Sequence, residues 1–113
     1  MTNSNMKALY IIVNSGFAEQ VVDFIRSNGA SGATIINARG IHTIQKEIMG
    51  ISIDKEKEVV LTLCNSETAD KIMELTKQNT SFKTEAHGIC FTLPVSKVVG
   101  VGSGLPEAVD TKR

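Results

Sequence analysis

GASGATIINARG, residues 29–40, is the stretch of this 113-residue chain from which its fold can be worked out. Gly29 follows an amphipathic run and suits the left-handed conformation in which many helices end. The small residues at 31–33 let another backbone or a ligand come close, and residues 34–39 (TIINAR) predict a strand that ends at Gly40. Residues 41–57 form the one long segment of the body without a regular pattern, and such segments are usually functional or disordered.

The rest of the chain predicts three further strands and two helices around this stretch. The first helix is amphipathic and ends at Gly29, and the second begins after Ser66, which can cap it. A polar loop is expected over residues 79–87, and Pro94 favours an edge position or a strand end. The predicted strands cover residues 7–13, 34–39, 59–64 and 88–95, and the predicted helices cover residues 17–28 and 67–78.

The predicted order, βαββαβ, is typical of a ferredoxin-like α+β sandwich, in which two helices cover one face of a four-stranded antiparallel sheet. Two helices cannot cover the second face as well. The strands are nevertheless apolar at both parities, since Leu9 and Ile11 alternate with Tyr10 and Ile12. Because an apolar open face needs a cover, we expect a homo-oligomer.

The composition limits the possible classes of function. With 42% hydrophobic residues, the chain is expected to form one globular domain over residues 1–101, followed by a flexible tail over 102–113. Twelve basic residues balance twelve acidic ones and only 4% of residues are aromatic, so nothing favours nucleic-acid binding. No apolar run is long enough for membrane insertion and no signal-peptide cleavage site is recognisable, so a cytoplasmic location is expected.

The cysteines and histidines show no pattern typical of a redox pair, a metal centre or catalysis. Cys64 and Cys90 lie singly within apolar runs, where buried free thiols are expected, and no CxxC or HxxxH spacing involves them or His42 and His87. No base, nucleophile and orienting group form a recognisable set. We therefore expect neither enzyme activity, nor a bound metal, nor an obligatory cofactor.

The order of the elements and three motifs resemble the PII signal-transduction proteins. The motifs are GxxGATxxxxRG at residues 29–40, the long segment right after it, and the glycine ahead of the last strand in HGICFTLPV, residues 87–95. The resemblance covers residues 7–101. The segment IMGISIDKEKEVVLTL, residues 48–63, is more similar to the divergent PII-like proteins than to the nitrogen regulators themselves.

The resemblance implies a homotrimer that binds an adenine nucleotide, of the ATP, ADP or AMP type, in the clefts between subunits. The adenine would lie against the end of the second strand and the base of the T-loop, residues 41–57. The B-loop would hold the phosphates through backbone amides, for which a glycine leaves room. The implied ligand-binding residues are Thr34, Arg39, Gly40, Ile41 and His42 on the strand side and His87, Gly88 and Ile89 in the B-loop.

The chain departs from the family pattern on the phosphate side. The segment TEAHGICF keeps only Gly88 and has Ile89 where a basic residue is usual, and the two basic residues that normally follow the last strand fall on Gly100 and Gly102. Because a triphosphate needs positive charge, this argues against classical ATP binding with 2-oxoglutarate. The only tyrosine, Tyr10, lies outside the T-loop, so uridylylation of a loop tyrosine is not expected.

Several implied site residues also have a plain structural interpretation. Arg39 either anchors a phosphate or ends a strand in solvent, and His42 and His87 are either ligand contacts or solvated loop residues. Gly32 and Thr34 either border a ligand or pack the strand tightly against a helix. The sequence leaves these alternatives open.

The expected function is that of a non-catalytic regulator that docks on a partner. A membrane transporter is the first candidate, because the resemblance is to proteins that often serve one. Apolar loop residues need a core or a partner, so Ile44, Ile48 and Met49 are expected partner contacts. The charged residues between them, Lys46 and Glu47, are expected to contact the partner as well. The alternative is a small trimeric metal-handling protein, of the copper-tolerance type, or an enzyme on the same sandwich, since fold alone does not decide function.

Overall fold

The computed structural model describes residues 5–40, 47–48, 51–52 and 55–100, with side chains for 5–40 and 56–100. Six strands and three helices lie within these ranges. The strands are β1 (Met6–Asn14), β2 (Thr34–Gly40), β3 (Glu47–Ile48), β4 (Ile51–Ser52), β5 (Lys55–Asn65) and β6 (Ile89–Pro94), and the helices are α1 (Ala18–Ser27), α2 (Ser66–Lys77) and α3 (Thr80–Thr84).

Four of the strands form one antiparallel sheet in the order β2-β5-β1-β6. In β1, Ile11 lies opposite Val60 of β5 on one side and opposite Cys90 of β6 on the other. The strands β2 and β6 therefore form the two edges, and Pro94 ends an edge strand as predicted. This architecture confirms the ferredoxin-like α+β sandwich expected from the sequence.

The core lies between the sheet and the two long helices. Leu9, Ile11 and Val13 point from β1 toward α1 and α2, which contribute Ile25 and Ile72, and each of these side chains is at most 1% exposed. Burying a side chain of this size stabilises the folded chain by about 1.5 to 3 kcal/mol. The helix layer is completed by partly buried residues: Phe17, Val21, Val22, Phe24, Met73 and Phe82.

The first long helix begins without a cap of its own. No side chain at the N-cap Phe17 satisfies the first amides of α1. Instead, Glu58 of β5 accepts hydrogen bonds from the backbone amides of Gly16, at 2.9 Å, and Ala18, at 3.3 Å. A carboxylate at this end complements the helix dipole and ties α1 to the sheet. At the other end Gly29 has φ +113°, which confirms its predicted role in ending the helix.

The cap of α2 corrects a prediction. Asn65, not Ser66, is the N-cap: its backbone is extended, and its side-chain oxygen accepts from the Thr68 amide at 2.8 Å. Ser66 lies inside the first turn, and its own amide donates to the Asn5 carbonyl. Both residue types cap helices well, so the strand conformation of Asn65 decides between them.

Two segments predicted to be irregular contain regular structure. Residues 79–87 were expected to form a polar loop, but Asn79 caps α3 by accepting from the Phe82 amide at 2.9 Å. In the predicted T-loop, β5 already begins at Lys55, and β3 pairs with β4. The predicted tail over 102–113 lies outside the described residues, so the domain boundary stays a prediction.

Candidate functional site

Three strand-side residues of the implied site, Thr34, Arg39 and Gly40, lie along the exposed edge strand β2. Thr34 and Gly40 are its two ends, six residues and therefore roughly 20 Å apart. A single ring system cannot contact both of them. A molecule of the length of an extended nucleotide, lying along the edge, can.

A groove of about 320 Å³ opens at the start of β2. It is bordered by Thr34 and the small residues before it on one side and by Leu61 and Leu63 of β5 on the other. A Cβ added at Gly32 would meet no atom within 4 Å, so tight packing against a helix does not explain this glycine. The small residues at 31–33 therefore leave open space beside an apolar wall.

Arg39 points to the opposite face of β2 from Gly40, because neighbouring residues of a strand alternate. It is exposed and lies directly opposite Glu56 of β5. A cross-strand pair of opposite charge is favourable by a few tenths of a kcal/mol to about 1 kcal/mol. A phosphate bound by Arg39 would therefore compete with Glu56.

The B-loop side of the implied site is a tight turn between α3 and β6. His87 has a left-handed backbone, with φ 50°, and the Gly88 amide donates to the Phe82 carbonyl at 2.8 Å. A Cβ at Gly88 would overlap the Phe82 ring. The missing side chain of Gly88 thus leaves room for the Phe82 ring. Ile89 starts β6 and is 58% exposed on the sheet face away from the helices.

The Gly40 end of β2 and the turn before β6 lie at the same end of the sheet but on opposite edges. Gly40 ends β2 opposite Lys55, while Ile89 begins β6 opposite Ile12 near the end of β1. Three strand spacings separate β2 from β6, which is roughly 14 Å. One chain therefore does not bring Thr34, Arg39 and Gly40 into contact with His87, Gly88 and Ile89.

Two polar residues not singled out from the sequence lie between these sides. Lys57 is only 7% exposed, and its ammonium nitrogen donates to the Asn14 side-chain oxygen at 2.8 Å. The Asn14 side-chain nitrogen in turn donates to the Glu85 carbonyl at 3.2 Å. The one available signal was the strand period, which places Lys57 on the same face as Val59 and Leu61.

The remaining implied site residues fall where no side chains are described. Ile41, His42, Ile44, Lys46 and Met49 lie outside the described residues. Glu47 and Ile48 belong to β3, for which only the backbone is described.

The thiols are free, as predicted: Cys64 is buried and Cys90 half-buried. Burial raises the pKa of Cys64 above its ordinary value, and burial, with a smaller contribution from Cys64, raises the pKa of Cys90 to about 11. Among the described residues no three His, Cys, Asp or Glu side chains lie close enough together to hold a metal ion.

None of the described helices has the length and apolar character needed to cross a membrane.

Solved structures share this fold. The chain superposes on a PII-like signaling protein from Thermus thermophilus at 23% identity, with a TM-score of 0.62 and coverage of 84% of this chain and 91% of the other. It matches B. subtilis GlnK in complex with ATP at 18% identity, TM-score 0.68, with 93% and 94% covered. The protein CPII from Thiomonas intermedia K12, bound to ADP, AMP and bicarbonate, matches at 18% identity, TM-score 0.62, with 80% and 89% covered.

Family membership is decided by a sequence model. None of the curated proteins matches the chain at a significant level. The model of the nitrogen regulatory protein P-II family, however, matches residues 6–104, which include every described strand and helix. The chain therefore belongs to the nitrogen regulatory protein P-II family of signalling proteins.

Proposed function

We propose that this chain is a PII-like regulator that binds an adenine nucleotide in clefts between the subunits of a homotrimer. The observation that carries the proposal is the division of the implied site. Its strand side and its B-loop side occupy opposite edges of one sheet, so a second subunit is needed to complete a cleft. Proteins of this family form homotrimers.

The open face of the sheet supports assembly. The side chains of Ile36, Phe91 and Leu93 point away from the helices and are 37 to 47% exposed in the single subunit. They lie on both edge strands, so the apolar surface reaches from one edge of the sheet to the other. Monomeric proteins rarely leave such a face in water.

The chemistry of the groove favours a ligand with an adenine base. Its apolar wall, Leu61 and Leu63, suits a flat ring, and the exposed backbone of β2 offers edge hydrogen bonds to ring nitrogens. B. subtilis GlnK is solved with ATP, and CPII with ADP and AMP. In these relatives adenine nucleotides are ligands and not obligatory cofactors.

The charges favour a ligand with few phosphates. The turn before β6 carries Glu85 and no lysine or arginine between residues 84 and 90, and the Gly88 amide is already bonded to Phe82. Moving a phosphate out of water needs compensating positive charge. We therefore expect AMP and ADP to bind at least as tightly as ATP.

The output is proposed to pass through residues 41–50, which contain the partner contacts Ile44, Lys46, Glu47, Ile48 and Met49. Three apolar side chains of this size would each contribute about 1.5 to 3 kcal/mol on docking. A membrane transporter is the proposed partner, and the cytoplasm the proposed location. The family acts in signalling and not, as a rule, in catalysis. The metal-handling alternative gains no support from the described residues.

Calorimetric titration of the purified protein with adenosine, AMP, ADP and ATP tests this function. Ala33→Trp would fill the groove and should abolish the heat with all four compounds. Arg39→Ala should weaken ADP more than adenosine, and Lys71→Ala on the exposed face of α2 should change nothing. The absence of heat with every adenine compound would contradict the proposal. Heat with Cu²⁺ in place of a nucleotide would favour the metal-handling alternative.

A further inference from the structure

Four neighbouring parts of the chain meet at the loop end of the sheet, one from each strand position. They are the end of β2 at Gly40, Lys57 of β5, Asn14 at the end of β1, and the backbone of Glu85 and Ala86 ahead of β6. We infer that Asn14 and Lys57, together called the bridge, are positioning residues that couple the end of β2 to the 85–88 turn. A displacement of the β2 end would then displace the turn as well.

The first contact of the bridge is between Gly40 and the Lys57 stem. A Cβ on Gly40 would approach Lys57 Cε at 3.0 Å and Cγ at 3.1 Å, closer than normal side-chain contacts. The lysine stem therefore lies flat across the end of β2. Gly40 has no left-handed backbone angle, so its glycine is explained by this contact. Any displacement of Gly40 toward β5 would push the lysine.

The second contact joins Lys57 to the other side of the sheet. Its ammonium nitrogen donates to Asn14 Oδ1 at 2.8 Å. A lysine that is 7% exposed has little water around it, and such a charge-assisted hydrogen bond is stronger than a neutral one. Because Asn14 has one side-chain oxygen and one side-chain nitrogen, it can accept from Lys57 and donate elsewhere at the same time.

The third contact is the pair of bonds from Asn14 to the turn. Its side-chain nitrogen donates to the Glu85 carbonyl at 3.2 Å, and its backbone amide donates to the Ala86 carbonyl at 2.8 Å. The chain then passes through His87 to Gly88, whose position is fixed by the Phe82 ring and carbonyl. A continuous series of contacts thus spans roughly 14 Å between the two edges of the sheet.

The effect of the bridge on ligand binding rests on the proposed function. The bridge residues need not touch the nucleotide. They would hold the two parts that do, the β2 end and the 85–88 turn, at a fixed separation and orientation. Breaking the bridge would then lower affinity and separate the responses of the two sides.

The coupling itself can be tested without any ligand, by amide chemical shifts in ¹H–¹⁵N spectra. Gly40→Ala introduces the methyl group that presses on Lys57, and it should shift the amides of Ala86, His87 and Gly88. Gly32→Ala is the matched control, since its methyl group would meet no atom within 4 Å, and it should leave these amides in place.

Cutting the bridge should abolish this transmission. In a Lys57→Met background, which keeps most of the length of the stem but not its charge, Gly40→Ala should no longer move the 86–88 amides. Asn14→Asp weakens the bridge at its other end, because its side chain still accepts from Lys57 but cannot donate to the Glu85 carbonyl, while the backbone bond to Ala86 stays in place. In this background the shifts at 86–88 should become smaller. Undiminished shifts in both backgrounds would overturn the inference, as would a Gly40→Ala spectrum without shifts at 86–88.

A second titration connects the bridge to the site. With ADP as the probe, Asn14→Asp should raise the dissociation constant roughly two- to thirtyfold, the range for substitutions that act through coupling. Lys57→Arg, which keeps the charge, should stay closer to the wild type than Lys57→Met. If wild-type protein binds no adenine compound, the proposed function fails while the shift experiment still decides the bridge. Normal ADP affinity in Asn14→Asp would contradict the positioning role alone.

Discussion

The two faces of the four-stranded sheet carry the same kind of side chains but have different surroundings. Toward the helices, Leu9, Ile11 and Val60 are at most 1% exposed. On the other face, Ile36 and Leu93 remain 45 and 47% exposed in the single subunit. Since hydrophobic burial drives folding on the first face, the second face has the same driving force available for association.

Two aromatic rings on the open face stack on each other within the single subunit. Tyr10 and Phe91, directly opposite each other on β1 and β6, lie with ring planes 5° apart and centroids at 5.1 Å. Such aromatic pairs contribute about 0.5 to 1.5 kcal/mol beyond their area. The covered face thus determines the stability of one subunit, and the open face presents a formed surface to others.

The largest expected effect is on the covered face. Ile11→Ala should lower the free energy of unfolding by about 2 to 5 kcal/mol, because it removes buried methyl groups and leaves a cavity. Urea denaturation checks this at a protein concentration low enough to dissociate the assembly. Under the same conditions Ile36→Ala should cost far less. Equal losses for the two variants would contradict the difference between the faces.

The next effect is on the open face. Leu93→Lys places a charge where apolar burial of about 1.5 to 3 kcal/mol per side chain is expected on assembly, so the dissociation constant should rise at least tenfold. The wild-type melting temperature should increase with protein concentration, and that of the variant should not. Lys71→Glu, on the outer side of α2, is the control. If the variant still assembled like the wild type, the open face would not be part of the interface.

A smaller effect is expected at the N-terminal cap of α2. Asn65→Ala should destabilise the chain by about 1 kcal/mol, because the Thr68 amide loses its acceptor, whereas Ser66→Ala should be close to neutral. Thermal or urea unfolding of both variants checks the assignment of the cap. If Ser66→Ala destabilised the chain more than Asn65→Ala, Ser66 would be the capping residue.

The smallest effect at neutral pH concerns Cys90, on the covered face. Its pKa is raised from the ordinary 9.0 to about 11, mainly by burial, so the folded chain keeps this proton where the unfolded chain has released it. Stability should therefore fall as the pH rises from 9 toward 11, and Cys90→Ala should reduce this fall. Alkylation of Cys90 by iodoacetamide should also be slow at mildly alkaline pH. An unchanged pH profile in Cys90→Ala would contradict the raised pKa.

The sequence could predict the architecture because its strong signals are local. The apolar run in β1, the helical spacing in α1 and Gly29 at its end each decide an element on their own. Segments with weak or competing local signals were harder. Asn65 and Ser66 are adjacent and both suitable as caps, and α3 has five residues, too short to be stable without the Asn79 cap and the tertiary packing of Phe82.

The candidate site was harder to predict than the fold, because it depends on contacts between distant parts of the chain. Lys57 lies at the end of the segment predicted to be irregular, residues 41–57, but the strand begins at Lys55, and Lys57 therefore joins an apolar face. Its partner Asn14 is 43 residues away, and Asn14 reaches Glu85 across a further 71. No local pattern indicates such a connection. The division of the site between opposite edges likewise follows only from the strand order.

The most direct test of the account is the mass of the wild-type protein in solution, measured by light scattering after size exclusion at micromolar concentration. An apolar open face and a site divided between two edges both predict an oligomer, and because proteins of this family form homotrimers, the expected mass is three times the 12.2 kDa of one chain. A stable monomer of 12.2 kDa would contradict the account, because the open face would then be soluble without a cover and no cleft between subunits could form.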